Sequence, residues 1–452
     1  MGYHRLAFVG LLVVLAVGAS ACSSDSESST TTSADTTTST DSGTILPVEK
    51  RGVVTIRMAR VGDPGNHSVG VWQVFKTLGT SGASVTLPPG TGIYPSCDDA
   101  PPSAPSCLTV GAVDYEYGIG EYEVTVDQYV TFLNTVDPEG RNEHELYLDN
   151  MSPTVWAQYG SISYSTDADT GQHYTVAFPE WAQKPFNLGD FRRGARFANS
   201  LTNGKVLSKK EETSGGFTYD VYEVRLSPES EKGMYDMADE TPTRTGDEGF
   251  VVSNNDEWIK AAYYDPKGGG TESYWAYPTG PFDQPNVSVL DPDTGDVTNA
   301  EDQPLATYNP NDPNSSVDTP GAPPGVAPTW CPPQVGKQAC KTVTPFNLPL
   351  TPEFEYEKVY QANVSTVGQA KTPSPWGAYD MGGNVVEVLD TLAPQPPGYH
   401  FLREWRYYHG GVANAPAYQV GISAFGYFPQ DPAIARFYPW LGFRLAVIGD
   451  VG

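Results

Sequence analysis

The stretch that decides the fold is Ala378-Tyr379-Asp380-Met381-Gly382-Gly383-Asn384-Val385-Val386-Glu387. Its two glycines indicate a tight turn, because glycine adopts positive φ and lets other groups approach the backbone closely. A short apolar run containing Asn384 and Glu387 follows. Side-chain and carbonyl oxygens are the ligands that calcium prefers. We therefore predict a structural calcium site formed by Asn384, Glu387 and the carbonyls of Gly382 and Val385. The alternative is a hairpin turn with two solvated polar side chains.

The composition limits the possible partners. The chain has 452 residues, with 27 Lys plus Arg against 54 Asp plus Glu, and a net charge of −27. A surface this acidic repels phosphate, so nucleic acid is not an expected partner. The 46 Gly and 40 Pro favour a loop-rich fold, and 27 Tyr with 9 Trp supply an aromatic core.

The first residues have the pattern of an export signal. Arg5 precedes an apolar run, residues 6–17, which is too short to span a membrane. The following Ala19-Ser20-Ala21-Cys22 resembles a bacterial lipoprotein box. It predicts a signal peptide at 1–21 and lipid on Cys22, with ordinary signal cleavage as the alternative. By resemblance to the lipoprotein sorting rule, Ser23 in place of Asp favours the outer membrane if the cell is Gram-negative.

The next segment and the remainder of the chain differ sharply in composition. Residues 22–46 are dominated by Ser, Thr and Asp and cannot bury apolar surface, which predicts a disordered tether. Residues 47–452 are expected to form the globular domain. Pro-rich segments at about 68–110 and 281–350 are interpreted as insertions into that domain.

Four cysteines lie beyond the lipid attachment site. In an oxidising compartment they are expected to form disulfides, and the spacing favours two local loops. The alternative is a zinc site, which the absence of C-x-x-C spacing disfavours. The predicted pairs are Cys97–Cys107 and Cys331–Cys340.

Periodicity and capping residues predict several elements. Residues 53–58 and 115–124 have strand patterns. Thr125 and Gln128 form a capping box for a helix that starts at 126. A second helix is predicted over 188–202 with Asn187 as N-cap, and a third over 255–264 with Asn254 and Glu257 as its cap pair.

Several of these segments resemble one enzyme family. Residues 380–387 resemble the Asp-Met-Gly-Gly-Asn-Val-Trp-Glu-Trp signature of the formylglycine-generating enzyme (sulfatase-modifying factor) family. The resemblance continues, in the family's order, through residues 115–125 (Tyr-Glu-Ile-Gly-Lys-Tyr-Glu-Val-Thr in the family), 195–199 (Ala-Arg-Phe-Ala-Asn), 256–266 (Asp-Glu-Trp-x-Lys-Ala-Ala-Tyr-Tyr-Asp-Pro) and 442–444 (Gly-Phe-Arg).

The resemblance implies a C-type-lectin-like α+β fold with short strands, few helices and much ordered coil. It also implies an oxidase that turns a substrate cysteine into formylglycine with copper(I) held by two cysteines near its C-terminus. This chain has no cysteine after Cys340, and Leu445 stands where an active-site cysteine would follow Gly-Phe-Arg. Neither bound copper nor this oxidase activity is therefore expected.

Two functions remain open. The first is a non-catalytic module that binds a glycan, a peptide or an envelope protein in an aromatic groove, although each aromatic candidate could instead belong to the core. The candidates are Trp376, Tyr379, Trp405, Tyr407 and Tyr408.

The second function is an enzyme on the same scaffold, either a cysteine-independent protein modifier or a hydrolase. Its best catalytic candidates are Glu387, Arg406, His409 and Arg444. A buried ion-pair partner is the preferred interpretation of Arg444.

Overall fold

The computed structural model describes residues 51–72, 107–155, 160–268, 273–281, 284–290, 296–308, 364–394, 404–411, 426–430 and 440–452. All belong to one compact unit, Pro47–Gly452. Within these ranges, no helix is both long and apolar enough to cross a membrane. Several predicted features lie outside the described residues: the signal peptide at 1–21, the lipidated Cys22, the tether, both cysteine pairs (for Cys107, the side chain) and most of the two insertions.

The unit is a mixed α+β fold with few helices and mostly antiparallel strands. Its helices are α1 (Val126–Val136), α2 (Phe191–Thr202) and α3 (Asn255–Tyr263), with 3-10 turns at Asp149–Met151 and Pro179–Trp181. Its strands are β1 (Val53–Val61), β2 (Val69–Trp72), β3 (Cys107–Val110), β4 (Tyr117–Gly120), β5 (Ile162–Tyr164), β6 (Tyr174–Val176), β7 (Lys205–Ser214), β8 (Phe217–Arg225), β9 (Gly249–Val252), β10 (Asn286–Val287), β11 (Leu305–Ala306), β12 (Val386–Leu392), β13 (Trp405–His409), β14 (Gly426–Pro429), β15 (Leu441–Gly442) and β16 (Leu445–Ile448).

Two larger sheets organise the strands. One has six strands in the order β7-β8-β1-β4-β16-β9, and all of its pairings are antiparallel. The other has the order β14-β13-β12-β15, with β12 and β15 parallel. Because β15 and β16 are separated only by Phe443 and Arg444, this short segment passes directly from one sheet to the other.

The glycine turn at 382–384 leads into β12. Gly383 and Asn384 have φ values of 97° and 61°. The Gly383 amide donates to the Gly410 carbonyl at 2.5 Å, and the Asn384 amide donates to Thr307 at 2.9 Å. The turn therefore anchors two other segments and does not protrude into solvent as a simple hairpin would.

Local capping signals were mostly sufficient to place the helices. The capping boxes of Thr125 with Gln128 and of Asn254 with Glu257 are both present. The prediction for α2 was wrong at its start: the N-cap is Asp190, whose carboxylate accepts the Arg193 amide, and not Asn187. Leu188 has a φ of 60°, which is incompatible with a helix beginning there.

The strand predicted over 115–124 is shorter than expected, since only Tyr117–Gly120 pairs as a strand. The strand predicted over 53–58 continues to Val61.

An aromatic cluster fixes α1 and α2 against the β15–β16 junction. Phe443 is fully buried, and its ring lies 6.0–6.4 Å from those of Tyr129, Phe186 and Phe197.

The turn gives a direct test of the fold. A Cβ at Gly383 would lie 2.3 Å from the Thr307 carbonyl oxygen and would also require positive φ. We expect Gly383→Ala to lower the free energy of unfolding by about 3 kcal/mol or more, measured by urea denaturation. Gly65→Ala is the control, because Gly65 has a φ of 79° with no atom within 4 Å of an added Cβ. Its expected cost is smaller, about 1–2 kcal/mol, and comes from the positive φ alone. Equal losses of unfolding free energy in the two variants would show that the close contact with Thr307 adds no cost.

Candidate functional site

The centre of the site is an ion pair between Glu387 and Arg444, both fully buried. Glu387 lies on β12, opposite Gly442 of β15 and His409 of β13. The Arg444 guanidinium donates to the carboxylate of Glu387 through Nε at 3.0 Å and through Nη2 at 2.7 Å. It also donates to the carbonyls of Gly120 and Tyr379, each at 2.9 Å. Arg444 is therefore a buried ion-pair partner, as preferred from the sequence.

Aromatic groups close the other side of Glu387. The Trp258 indole N–H donates to Glu387 Oε2 at 2.5 Å. The Trp258 ring stacks on His409 with centroids 4.8 Å apart and an interplanar angle of 16°. Nε2 of His409 lies 2.8 Å from Oδ1 of Asn255, and burial lowers the pKa of His409 to about 3. The His409 imidazole is thus neutral near pH 7, and it packs against Trp258 at the edge of the site.

The other predicted catalytic candidate, Arg406, is also fully buried. Its guanidinium donates to Glu404 at 2.9 Å and to Asp390 at 3.1 Å, and it lies 3.7 Å from the ring centroid of Phe191. Arg406 of β13 is thus held between Asp390 of β12 and Phe191 of α2.

Two of the four predicted calcium ligands, the side chains of Asn384 and Glu387, are already bonded to protein donors. Asn384 is 1% exposed, and its Oδ1 accepts the Ser365 amide at 2.9 Å. The Glu387 carboxylate faces the Arg444 cation. In the part of the chain that the structure describes, no three His, Cys, Asp or Glu side chains come together to hold a metal ion. These two side chains therefore do not fit a calcium ion without rearrangement, and the predicted site is put to the chelation test below.

The predicted aromatic groove is divided between two elements. Trp376 and Tyr379 precede the glycine turn and are half-buried, and the Tyr379 ring lies 5.7 Å from that of Tyr122. Trp405 and Tyr407 lie on β13, where both are buried against Tyr427 with ring centroids 6.0 and 6.1 Å away. These two are core residues, which was the alternative interpretation.

Tyr408, the fifth candidate, is half-buried and pairs with Val388 across the sheet. Of the five candidates, the half-buried Trp376, Tyr379 and Tyr408 are thus the ones that a ligand can reach.

Sequence reasoning missed two buried acids next to the ion pair. Glu123 is 1% exposed and follows β4, and Asp380 is 7% exposed and precedes the glycine turn. The Asp380 carboxylate accepts the Gly368 amide at 2.5 Å, and burial raises the pKa of Asp380 to about 6. Burial and the neighbouring Asp380 raise the pKa of Glu123 well above its usual value. No sequence signal separates these two acids from neighbouring ones such as Glu121.

Comparisons with known proteins are weak. No protein-family model matches the chain, and no curated protein matches it. Among solved structures, it is similar to Treponema denticola variable protein 1, at 15% identity and a TM-score of 0.37, over 89% of this chain and 100% of that one. It is also similar to CarF, at 15% identity and a TM-score of 0.31, over 88% of this chain and 99% of that one.

A third similar structure is PvdO from Pseudomonas aeruginosa, at 11% identity and a TM-score of 0.34, over 88% of this chain and 94% of that one. With such scores, these alignments establish neither a fold family nor an activity.

The ion pair can be tested by a double-mutant cycle. We expect Glu387→Gln and Arg444→Met each to lower the free energy of unfolding by about 3–5 kcal/mol, because each leaves a buried group without its partner. The free energy of unfolding of the double variant should fall by clearly less than the sum of the two single losses. Arg60→Ala is the control: its pair with Asp220 is half-exposed, and its expected cost is below about 1 kcal/mol. Additive losses would mean that the two groups do not interact.

The calcium prediction can be tested by chelation. Because Arg444 and Ser365 already satisfy Glu387 and Asn384, we expect EDTA to leave the Tm of the Pro47–Gly452 unit unchanged in differential scanning fluorimetry. A ligand that binds only the folded state must raise Tm. A lower Tm in EDTA that CaCl2 restores would therefore establish a bound calcium ion, and Asn384→Ala would then show whether this turn holds it.

Proposed function

We propose that the protein is an exported, lipid-anchored envelope protein whose globular unit binds a ligand without catalysing a reaction. We further propose that this unit has the C-type-lectin-like fold of the formylglycine-generating enzyme type. What supports the fold proposal is the order of the family motifs along the chain. The mixed α+β architecture is consistent with it, and Glu387 and Arg444, from two of those motifs, meet in the centre.

The observation that carries the functional proposal is the burial of the candidate catalytic groups. Glu387, Arg406 and Arg444 are 0% exposed and His409 is 1% exposed. Glu387, Arg406 and Arg444 already bond to one another or to neighbouring protein groups, and the pKa of His409 is too low for acid–base work near pH 7. A catalytic side chain must reach the substrate, and these side chains reach only the protein.

The proposed anchor also fits a binding role. A lipid on Cys22 and a polar tether over 22–46 would hold the unit near the membrane yet let it reach partners at some distance. Because of the net charge of −27, nucleic acid is a poor partner, whereas a glycan, a peptide or an envelope protein is compatible with this surface.

The absence of oxidase activity is tested by mass spectrometry. We expect no conversion of cysteine to formylglycine when the Pro47–Gly452 unit is incubated with a sulfatase-type cysteine peptide, copper(I) and oxygen. An authentic formylglycine-generating enzyme in the same assay is the positive control. Conversion would favour the alternative, an enzyme with cysteine-independent chemistry.

The binding role is tested with purified envelope material. We expect the unit to sediment with peptidoglycan or to bind an envelope glycan array, and Trp376→Ala or Tyr379→Ala to weaken that binding. Leu392→Ala is the control, since Leu392 is an exposed apolar residue at the end of β12. Loss of binding in all three variants, or no binding to any envelope fraction, would contradict the proposal.

A further inference from the structure

The strand β7 forms a free edge of the six-stranded sheet. In the part of the chain that the structure describes, β7 pairs with β8 and with no other strand. Residues 209–214 are all exposed. A long, exposed edge strand presents a row of unpaired amides and carbonyls, to which another strand can bind. The side chains of β7 then determine which strand fits this edge.

The turn between β7 and β8 shows which backbone groups face outward. The two-residue loop Gly215-Gly216 has φ values of 61° and 87°, as in a type I′ turn. In a turn of this kind the carbonyl of the first residue, here Ser214, accepts the amide of the fourth, so Ser214 bonds toward β8. The bonding direction alternates along an antiparallel strand. The amides and carbonyls of residues 209, 211 and 213 therefore point to the free edge.

The exposed part of β7 carries two cations followed by two anions, Lys209-Lys210-Glu211-Glu212. Three of the four have an ion-pair partner within the chain, at 3.3 Å for Lys209, 2.7 Å for Glu211 and 2.5 Å for Glu212. Lys210 has none among the described residues. The side chains of Glu211 and Glu212 are still 59% and 48% exposed, so each carboxylate can accept a second cation.

These charges match when two copies of β7 lie antiparallel. In a pairing centred on Glu211, Lys210 lies directly opposite Glu212 of the second copy, and two-fold symmetry repeats this pair. Directly opposed side chains on one face of a sheet are close enough to interact. Glu211 then faces its own counterpart, and each of these two carboxylates is already held by Arg60.

The backbone supports the same register. Residue 211 then lies opposite residue 211 of the second copy, and residue 209 lies opposite residue 213, so the outward amides and carbonyls meet. The paired stretch is 208–214, where β7 is regular, and it ends at the irregularity between Val206 and Ser208. Charged residues on an edge strand usually prevent pairing. Here the charges disfavour a foreign strand but are complementary to those of an antiparallel copy.

We propose that β7 is the interface of a homodimer, in which two copies pair antiparallel about Glu211 and join their six-stranded sheets. Lys210 of each copy pairs with Glu212 of the other, and these two ion pairs set the register. This inference goes beyond the proposed binding function and does not depend on it.

The dimer is tested by sedimentation velocity of the Pro47–Gly452 unit over a range of protein concentrations. The buffer contains physiological salt, which screens the repulsion between two acidic copies. Because the paired stretch is short, the interface is small, and we expect a reversible monomer–dimer equilibrium. Hydrogen exchange should show the amides of residues 209, 211 and 213 protected only at concentrations at which the dimer forms.

Lys210→Glu and Glu212→Lys are the decisive variants. Each alone places like charges opposite one another at both symmetric positions, and we expect each to weaken the dimer about tenfold or more. An equimolar mixture of the two variants should dimerise again, because one then carries acids at positions 210 and 212 and the other carries lysines there. This recovery separates a lost interface from lost folding. Lys205→Glu is the control, since it makes the same charge change at an exposed residue of β7 outside the paired stretch.

Three outcomes would overturn the inference: a monomer at every concentration, a dimer that Lys210→Glu leaves intact, or a loss of the dimer in both variants that mixing does not reverse. Slow exchange of the edge amides in a monomer would overturn it as well, because another segment of the same chain would then cover β7. None of these outcomes bears on the proposed function, which depends on envelope binding and on the absence of turnover.

Discussion

The Glu387–Arg444 ion pair is the interaction on which the rest of the structure depends. The carboxylate comes from β12 of the four-stranded sheet, and the guanidinium comes from the residue immediately before β16 of the six-stranded sheet. Two further guanidinium hydrogens are used by the Gly120 and Tyr379 carbonyls. One side chain therefore connects β12, the end of β4 and the approach to the glycine turn. A buried pair like this contributes little net stability but is costly to break, and we infer that its main effect is to select one arrangement of the two sheets.

The β15–β16 junction also explains how so much of this fold can consist of loops. Phe443 fills the aromatic cluster of α1 and α2, and its carbonyl accepts the Val124 amide at 3.1 Å. Leu441 accepts the Gly189 amide at 2.7 Å. Backbone groups in coil segments must find partners when they are buried. Here the β15–β16 junction provides those partners, and the coil is ordered without regular secondary structure.

The sequence was informative wherever the deciding contact is local. The caps of α1 and α3 each depend on two residues three positions apart, so their pattern is visible in the chain. The start of α2 was misplaced because Asn187 and Asp190 are both good caps, and only the positive φ of Leu188 decides between them. Glu387 was interpreted as a calcium ligand for a similar reason. Its partner in the structure, Arg444, is 57 residues away, and no spacing rule connects the two.

Glu123 is best understood by comparison with the other buried acids. Glu257 has Arg244, Asp390 has Arg244 and Arg406, and Glu404 has Arg406 and Arg192. The protein thus supplies an arginine for a buried carboxylate repeatedly, although it has only 27 basic residues against 54 acidic ones. Glu123 differs, because its nearest cation, Arg444, lies 3.7 Å away and neither carboxylate oxygen has a hydrogen-bond partner among the described residues. Because one arginine here faces Glu387, Asp380 and Glu123, and bonds only to Glu387, burial raises the pKa of Glu123 well above its usual value.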